Sequence, residues 1–117
     1  MNQPTEINPL QWKKACSIGQ IKTGQKACVQ FGSLQIALFH AEEELWYALQ
    51  NRCTHTKQNV ISRGILGDKE GELKVACALH KNQFSLTTGK CLNADLQALQ
   101  TYPVKIEGDE VFIGLPA

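Results

Sequence analysis

Ala27-Cys28-Val29-Gln30-Phe31, then Gly32-Ser33, then Leu34-Gln35-Ile36-Ala37-Leu38-Phe39: this stretch decides the fold. Two short apolar runs flank a two-residue turn with glycine first. That is a β-hairpin signal, because glycine supplies the positive-φ backbone the turn requires. A polar turn at Ala41-Glu42-Glu43 leads to a third strand, Leu45-Trp46-Tyr47-Ala48-Leu49. Three consecutive antiparallel strands make a meander.

Working outward, the punctuation stays dense and the apolar runs stay short. Leu73-Lys74-Val75-Ala76-Cys77 reads as a strand. Gln83–Leu86, the turn Thr87-Thr88-Gly89 and Lys90–Leu92 read as a short hairpin, and Tyr102–Glu107 with Glu110–Ile113 as a final one. Residues 50–64 lack alternation and read as a loop. Ile65-Leu66 leads into a charged turn at 67–71, and 78–82 form a second loop. Ser17–Ile21 has room for one helical turn at most, and Asn93–Leu99 for a brief one. No segment holds a helical period over the roughly 11 residues that a helix assignment needs. The expected class is all-β, an antiparallel sandwich or barrel. Residues 1–10, with Pro4 and Pro9, are expected to be loosely ordered ahead of Trp12.

At 117 residues the chain is expected to be a single domain, long enough to bury one core without disulfides. Twelve Lys+Arg against eleven Asp+Glu give a formal net charge of +1, so nucleic acid is not expected as a partner. No apolar run nears the roughly 18 residues that span a bilayer. The first ten residues show neither a basic nor an apolar segment of a signal peptide. A cytoplasmic protein is therefore expected, with no membrane partner. Five cysteines there are better read as ligands, redox groups or buried thiols than as a disulfide framework.

Two of the five are followed closely by histidine: Cys53-Thr54-His55 and Cys77-Ala78-Leu79-His80, each in an inter-strand loop. A thiolate and an imidazole one or two residues apart on a turn can point the same way. Two such loops facing each other offer two sulfurs and two nitrogens around one small volume. That set fits a [2Fe–2S] centre with two cysteines on one iron and two histidines on the other. Structural zinc uses the same donors, but its motifs more often pair Cys with Cys and His with His. A third reading leaves both histidines as hydrogen-bonded loop residues with no metal.

The pattern resembles Rieske domains. The neighbouring residues are closer still to the small-subunit family of NAD(P)H-dependent assimilatory nitrite reductases. Asn59-Val60-Ile61-Ser62-Arg63-Gly64 with Gly67-Asp68, Gly71–Ala76, Lys81–Leu86, Thr88–Leu92 and Tyr102-Pro103-Val104 carry the likeness, which covers nearly the whole chain after residue 10. It implies a Rieske-like fold with a small cluster-binding subdomain made of two loops, about 51–64 and 77–83. It implies a [2Fe–2S] cluster on Cys53, His55, Cys77 and His80. The histidines would face outward, and the protein would be an accessory electron-transfer subunit rather than an enzyme on its own. FAD, sirohaem and a [4Fe–4S] centre would reside on a large-subunit partner that reduces nitrite to ammonia. Many bacterial members of that family keep the fold without the four ligands. Rieske domains also usually read C-P-x-H-G where this chain has Cys77-Ala78-Leu79-His80-Lys81. The alternatives are a cluster-free module that stabilises the large subunit, and a free-standing ferredoxin serving an oxygenase.

The remaining candidates have plainer readings. Cys16, Cys28 and Cys91 are expected in the core. His40 is expected to be solvated, and Trp12, Trp46, Phe31, Phe39, Phe84 and Phe112 to be core aromatics. Ser62-Arg63 has no catalytic partner in view. No catalytic triad order, phosphate loop or H-E-x-x-H motif is present.

Overall fold

The structure is a computed structural model that describes residues 10–42, 45–54, 57–77 and 82–116. The expected loose segment therefore lies, up to residue 9, outside the described residues, as do Glu43 and Glu44. Among the described residues ten strands fall into three antiparallel sheets. The first holds β1 (Leu10–Ser17), β10 (Glu110–Pro116) and β9 (Val104–Glu107) in that order. The second orders β2 (Lys26–Phe31), β3 (Leu34–Glu42), β4 (Leu45–Gln50) and β8 (Thr101–Tyr102). The third orders β5 (Ile65–Lys69), β6 (Glu72–Ala76) and β7 (Gln83–Ser85).

The hairpin that opened the sequence reading forms in register, Phe31 opposite Leu34 and Lys26 opposite Phe39, with Gly32 at φ +63°. Its second strand explains the whole arrangement. Ile36 and Leu38 join one core with Val111, Ile113 and Leu115, while Ala37 and Phe39 join another with Val75, Phe84 and Leu86. A strand buried on both faces carries an unbroken apolar run rather than an alternating one. The β2-β3-β4-β8 sheet is thus the middle layer between the other two.

Several local expectations give way to tertiary contacts. Strand β1 pairs with β10 from Leu10↔Pro116 to Ser17↔Glu110, joining the two ends of the chain, with an irregularity between Lys14 and Cys16. Residues 65–69 are strand rather than the approach to a turn. The turn comes later, at Glu70 (φ +53°) and Gly71 (φ +90°), where two positive φ values match the twist of a tight hairpin. Asn93–Leu99 makes no helical turn, because its polar groups are engaged elsewhere: the Leu99 N–H donates to the Gly89 carbonyl at 2.8 Å. The expected strand at Lys90–Leu92 is reduced to one bridge, Phe84↔Cys91. Pro103, which has no N–H to give, separates β8 in the middle sheet from β9 in the first.

Two side-chain expectations also reverse. His40 is buried, stacked on Trp46 at 3.9 Å between ring centroids, with Nδ1 2.8 Å from the Ile21 carbonyl oxygen. Strand β3 runs past it to Glu42, so the position that ended the apolar run is still interior. Trp12 stays 37% exposed, with the Lys105 Nζ 4.5 Å from its ring centroid, a cation–π contact on an outer sheet face.

Candidate metal centre

Cys53 and Cys77 both belong to the core between the middle and third sheets, at 0% and 1% exposure. Each opens a loop closed in the same way. The Cys53 N–H donates to the Gln58 carbonyl at 2.8 Å, and the Cys77 N–H donates to the Asn82 carbonyl at 2.8 Å. In both, the carbonyl that pins the loop stands five residues after the cysteine. The first is tightened further: the Lys57 N–H donates to the Cys53 carbonyl at 2.9 Å, and Lys57 sits at φ +64°. His55 and His80, the other two expected ligands, lie outside the described residues, one within each loop.

Asn51, which no sequence motif marks, pins the first loop. Its side chain is buried, donating from Nδ2 to the Gln35 Oε1 at 3.0 Å and accepting at Oδ1 from the Ser62 N–H at 2.7 Å. Its backbone donates to the Gln35 carbonyl at 3.1 Å and accepts from the Ile61 N–H at 3.0 Å. One residue thus ties β3 to the 3-10 turn Ile61–Arg63, beyond the loop. Truncating it in Asn51→Ala leaves the partly buried Ser62 N–H and the Gln35 Oε1 without this partner, and the expected loss is about 2 kcal/mol of folding free energy by urea denaturation. An unchanged midpoint would show that the loop is held elsewhere. Nothing local marks this asparagine, since its partners come from 16 residues before it and 11 after.

Two further ties bring the loops to one end of the third sheet. Any side chain at Gly64 would fall inside contact of the Ala76 carbonyl oxygen and 2.6 Å from the Val75 Cγ2, so only glycine lets residues 61–65 lie against the strand that delivers Cys77. The segment 93–97 buttresses both loops. The Thr54 hydroxyl donates to the Gln97 carbonyl at 2.6 Å, and the Asn93 Oδ1 accepts from the Gln83 N–H at 2.9 Å. Beside the second neck, the Asn82 Nδ2 and Gln83 Oε1 are buried with no hydrogen-bond partner.

The other three cysteines are elsewhere. Cys91 is buried in the same core, while Cys16 is partly buried and Cys28 exposed, against the core expectation for Cys28. Burial pushes the Cys16 thiol pKa up, with Lys14 opposing in part. None of the five is in a disulfide. A groove of about 1000 Å³ beneath the β5–β6 hairpin includes neither Cys53 nor Cys77 in its lining. The donor chemistry fits an iron–sulfur group: two reduced thiols, shielded from water, each at the neck of a loop with a histidine two or three residues on.

Three antiparallel sheets with a buried cysteine at the neck of each of two loops define a small β-protein with a candidate loop-borne centre. Residues 11–114 match the Rieske-like [2Fe–2S] domain family, and the chain belongs to it. It is 37% identical over 106 residues to the ferredoxin component of the naphthalene 1,2-dioxygenase system of Pseudomonas aeruginosa, covering 90% of this chain and 96% of that one. It is 35% identical over 103 residues to the large subunit of nitrite reductase [NAD(P)H] from Klebsiella oxytoca, covering 88% of this chain but spanning only 11% of that protein. The structure resembles that of the E. coli protein NirD with a TM-score of 0.84 and 28% identity, covering 92% of this chain and 99% of that one. Among the described residues no helix is long and apolar enough to cross a membrane.

Proposed function

We propose that the chain is an electron carrier, the small subunit of an NAD(P)H-dependent nitrite reductase. In this reading Cys53 and Cys77 hold one iron of a [2Fe–2S] cluster, and His55 and His80 hold the other. The observation that carries it is the pair of equivalent loops, each opened by a buried cysteine and pinned by the same backbone hydrogen bond. Such a cluster, when bound, takes up and releases one electron at a potential of about −150 to +300 mV. The chain's own work is to shield and to position. Burial of both cysteines keeps water from the thiolates. The two backbone bonds hold the main chain at both cysteines. Asn51 and Gly64 hold the loops at one sheet end, within short reach of a partner's surface.

The proposed partner is a nitrite reductase large subunit carrying FAD, sirohaem and a [4Fe–4S] centre, in the cytoplasm. Likeness to NirD over 99% of that chain supports this assignment. A second reading, a free-standing ferredoxin for an oxygenase, is favoured by 37% identity over 96% of a dioxygenase ferredoxin. Purification without air, followed by iron and sulfide analysis, visible absorption and electron paramagnetic resonance of the reduced protein, tests the cluster. The expected result is about two irons and two sulfides per chain, with a signal from a mixed Cys/His-ligated cluster. A colourless, iron-less protein would leave a module that only binds and stabilises its partner. Co-purification with a nitrite reductase large subunit, against an oxygenase, separates the two electron-transfer readings.

A further inference from the structure

The formal net charge of +1 conceals a strong segregation of charge along the third sheet. All eleven acidic residues lie outside 45–67 and 73–94, the two stretches that contain the cysteine loops. In the first stretch Arg52, Lys57 and Arg63 are all exposed, and none is in an ion pair among the described residues. Arg52 adjoins Cys53 and bridges to Asn59, Lys57 donates its N–H to the Cys53 carbonyl, and Arg63 precedes the glycine packed on Ala76. Beside them Ile65 is 68% exposed, although it pairs with Ala76, the residue before Cys77. The opposite end of the same hairpin reverses the sign. Asp68, Glu70 and Glu72 line the groove there together with Glu42. Five residues of strand place the two poles about 14 Å apart, more than the Debye length of about 8 Å at physiological ionic strength. A partner approaching the cysteine end meets Arg52, Lys57 and Arg63, offset in part by Asp95, which is exposed in the 93–97 segment that buttresses the loops.

We propose that the cysteine-loop end is a cationic docking surface for an acidic patch on a partner protein, with Ile65 as its apolar centre. Arginine is enriched at protein interfaces, and Ile65 adds an exposed apolar side chain two residues from Arg63. Nucleic acid would call for a continuous basic stripe, and this chain has none. The inference rests on the electron-transfer reading for its purpose, because a carrier must present its centre to the partner. It goes beyond that reading in naming the surface and the partner's sign. The acidic pole at the far end adds orientation, since an approaching anionic patch is repelled from it.

The test uses the full-length protein with its cluster reduced. One electron passes from the reduced cluster either to ferricyanide, an anion, or to tris(phenanthroline)cobalt(III), a cation, and the rate is followed by stopped flow. The ferricyanide rate is expected to fall about ten-fold between about 10 mM and about 1 M salt, and the cobalt rate to rise. Combining Arg52→Glu, Lys57→Glu and Arg63→Glu inverts both trends. Combining Asp68→Lys, Glu70→Lys and Glu72→Lys raises the net charge as far as the first variant lowers it and leaves both trends as they were. Rates indifferent to salt, or trends that follow net charge in the second variant, overturn the proposal. If iron analysis finds no cluster, the electron-transfer reading fails on its own. Docking is then read from amide resonances during a titration with poly-L-glutamate. Shifts gathered at Arg52, Lys57, Arg63 and Ile65 sustain the surface, and shifts centred on Lys13, Lys14 and Lys22 overturn it.

Discussion

On the proposed ligation, Cys77→Ser protein prepared without air is expected to lose its bound iron and labile sulfide, from about two of each per chain to background, and its visible absorption with them. A serine hydroxyl is a poor substitute for a thiolate that must bind iron in a dry site. The substitution also buries a hydroxyl where the sulfur is 1% exposed, at a cost of about 1–3 kcal/mol. Loss of colour therefore has to be separated from loss of fold. Cys91→Ser provides the separation: Cys91 is 8% exposed in the same core, yet has no neighbouring histidine and opens no pinned loop. It is expected to lose comparable stability by urea unfolding while keeping its iron. Equal iron loss in both proteins would mean that the core, and not the loop cysteine, governs cluster retention.

The largest stability effect is expected at Gly89. Its φ of +79° is in the left-handed region, and an added Cβ would fall inside contact of the Leu99 carbonyl oxygen. The two backbones are held there by the Leu99 N–H donating to the Gly89 carbonyl at 2.8 Å. Gly89→Ala incurs both the left-handed conformational cost and a forced backbone shift, together about 3 kcal/mol. Gly108 has a similar φ of +61° with nothing within 4 Å of its Cβ position, so Gly108→Ala should cost only about 1 kcal/mol. Urea midpoints for the pair isolate the close approach from the dihedral. Matching midpoints would show that the 89–99 contact yields without penalty.

The hairpin of β2 and β3 was readable because its information is local: two short apolar runs flanking a two-residue turn with glycine first. The strand β1 was not readable, since Lys13-Lys14-Ala15 has no alternation and its partner lies at the other end of the chain. The helical turn expected at 93–99 failed for a related reason. Short segments with weak propensity take whatever hydrogen bonds their neighbours offer, and here those come from Thr54, Gln83 and Gly89. The same distant contacts buttress the two loops. Misreading that segment therefore also hid part of what holds the candidate centre.

The residue types and their spacing were enough to select Cys53, His55, Cys77 and His80 as candidates, because ligand chemistry is a property of side chains and of the few bonds between them. The all-β class followed from periodicity in the same way. Only the tertiary structure decided that both cysteines are buried in one core, that Asn51 and Gly64 anchor their loops, and that Asp68, Glu70 and Glu72 line a groove at the end of the β5–β6 hairpin away from them. Burial and field depend on which distant strands come to lie side by side, and that pairing is set by packing across the whole molecule.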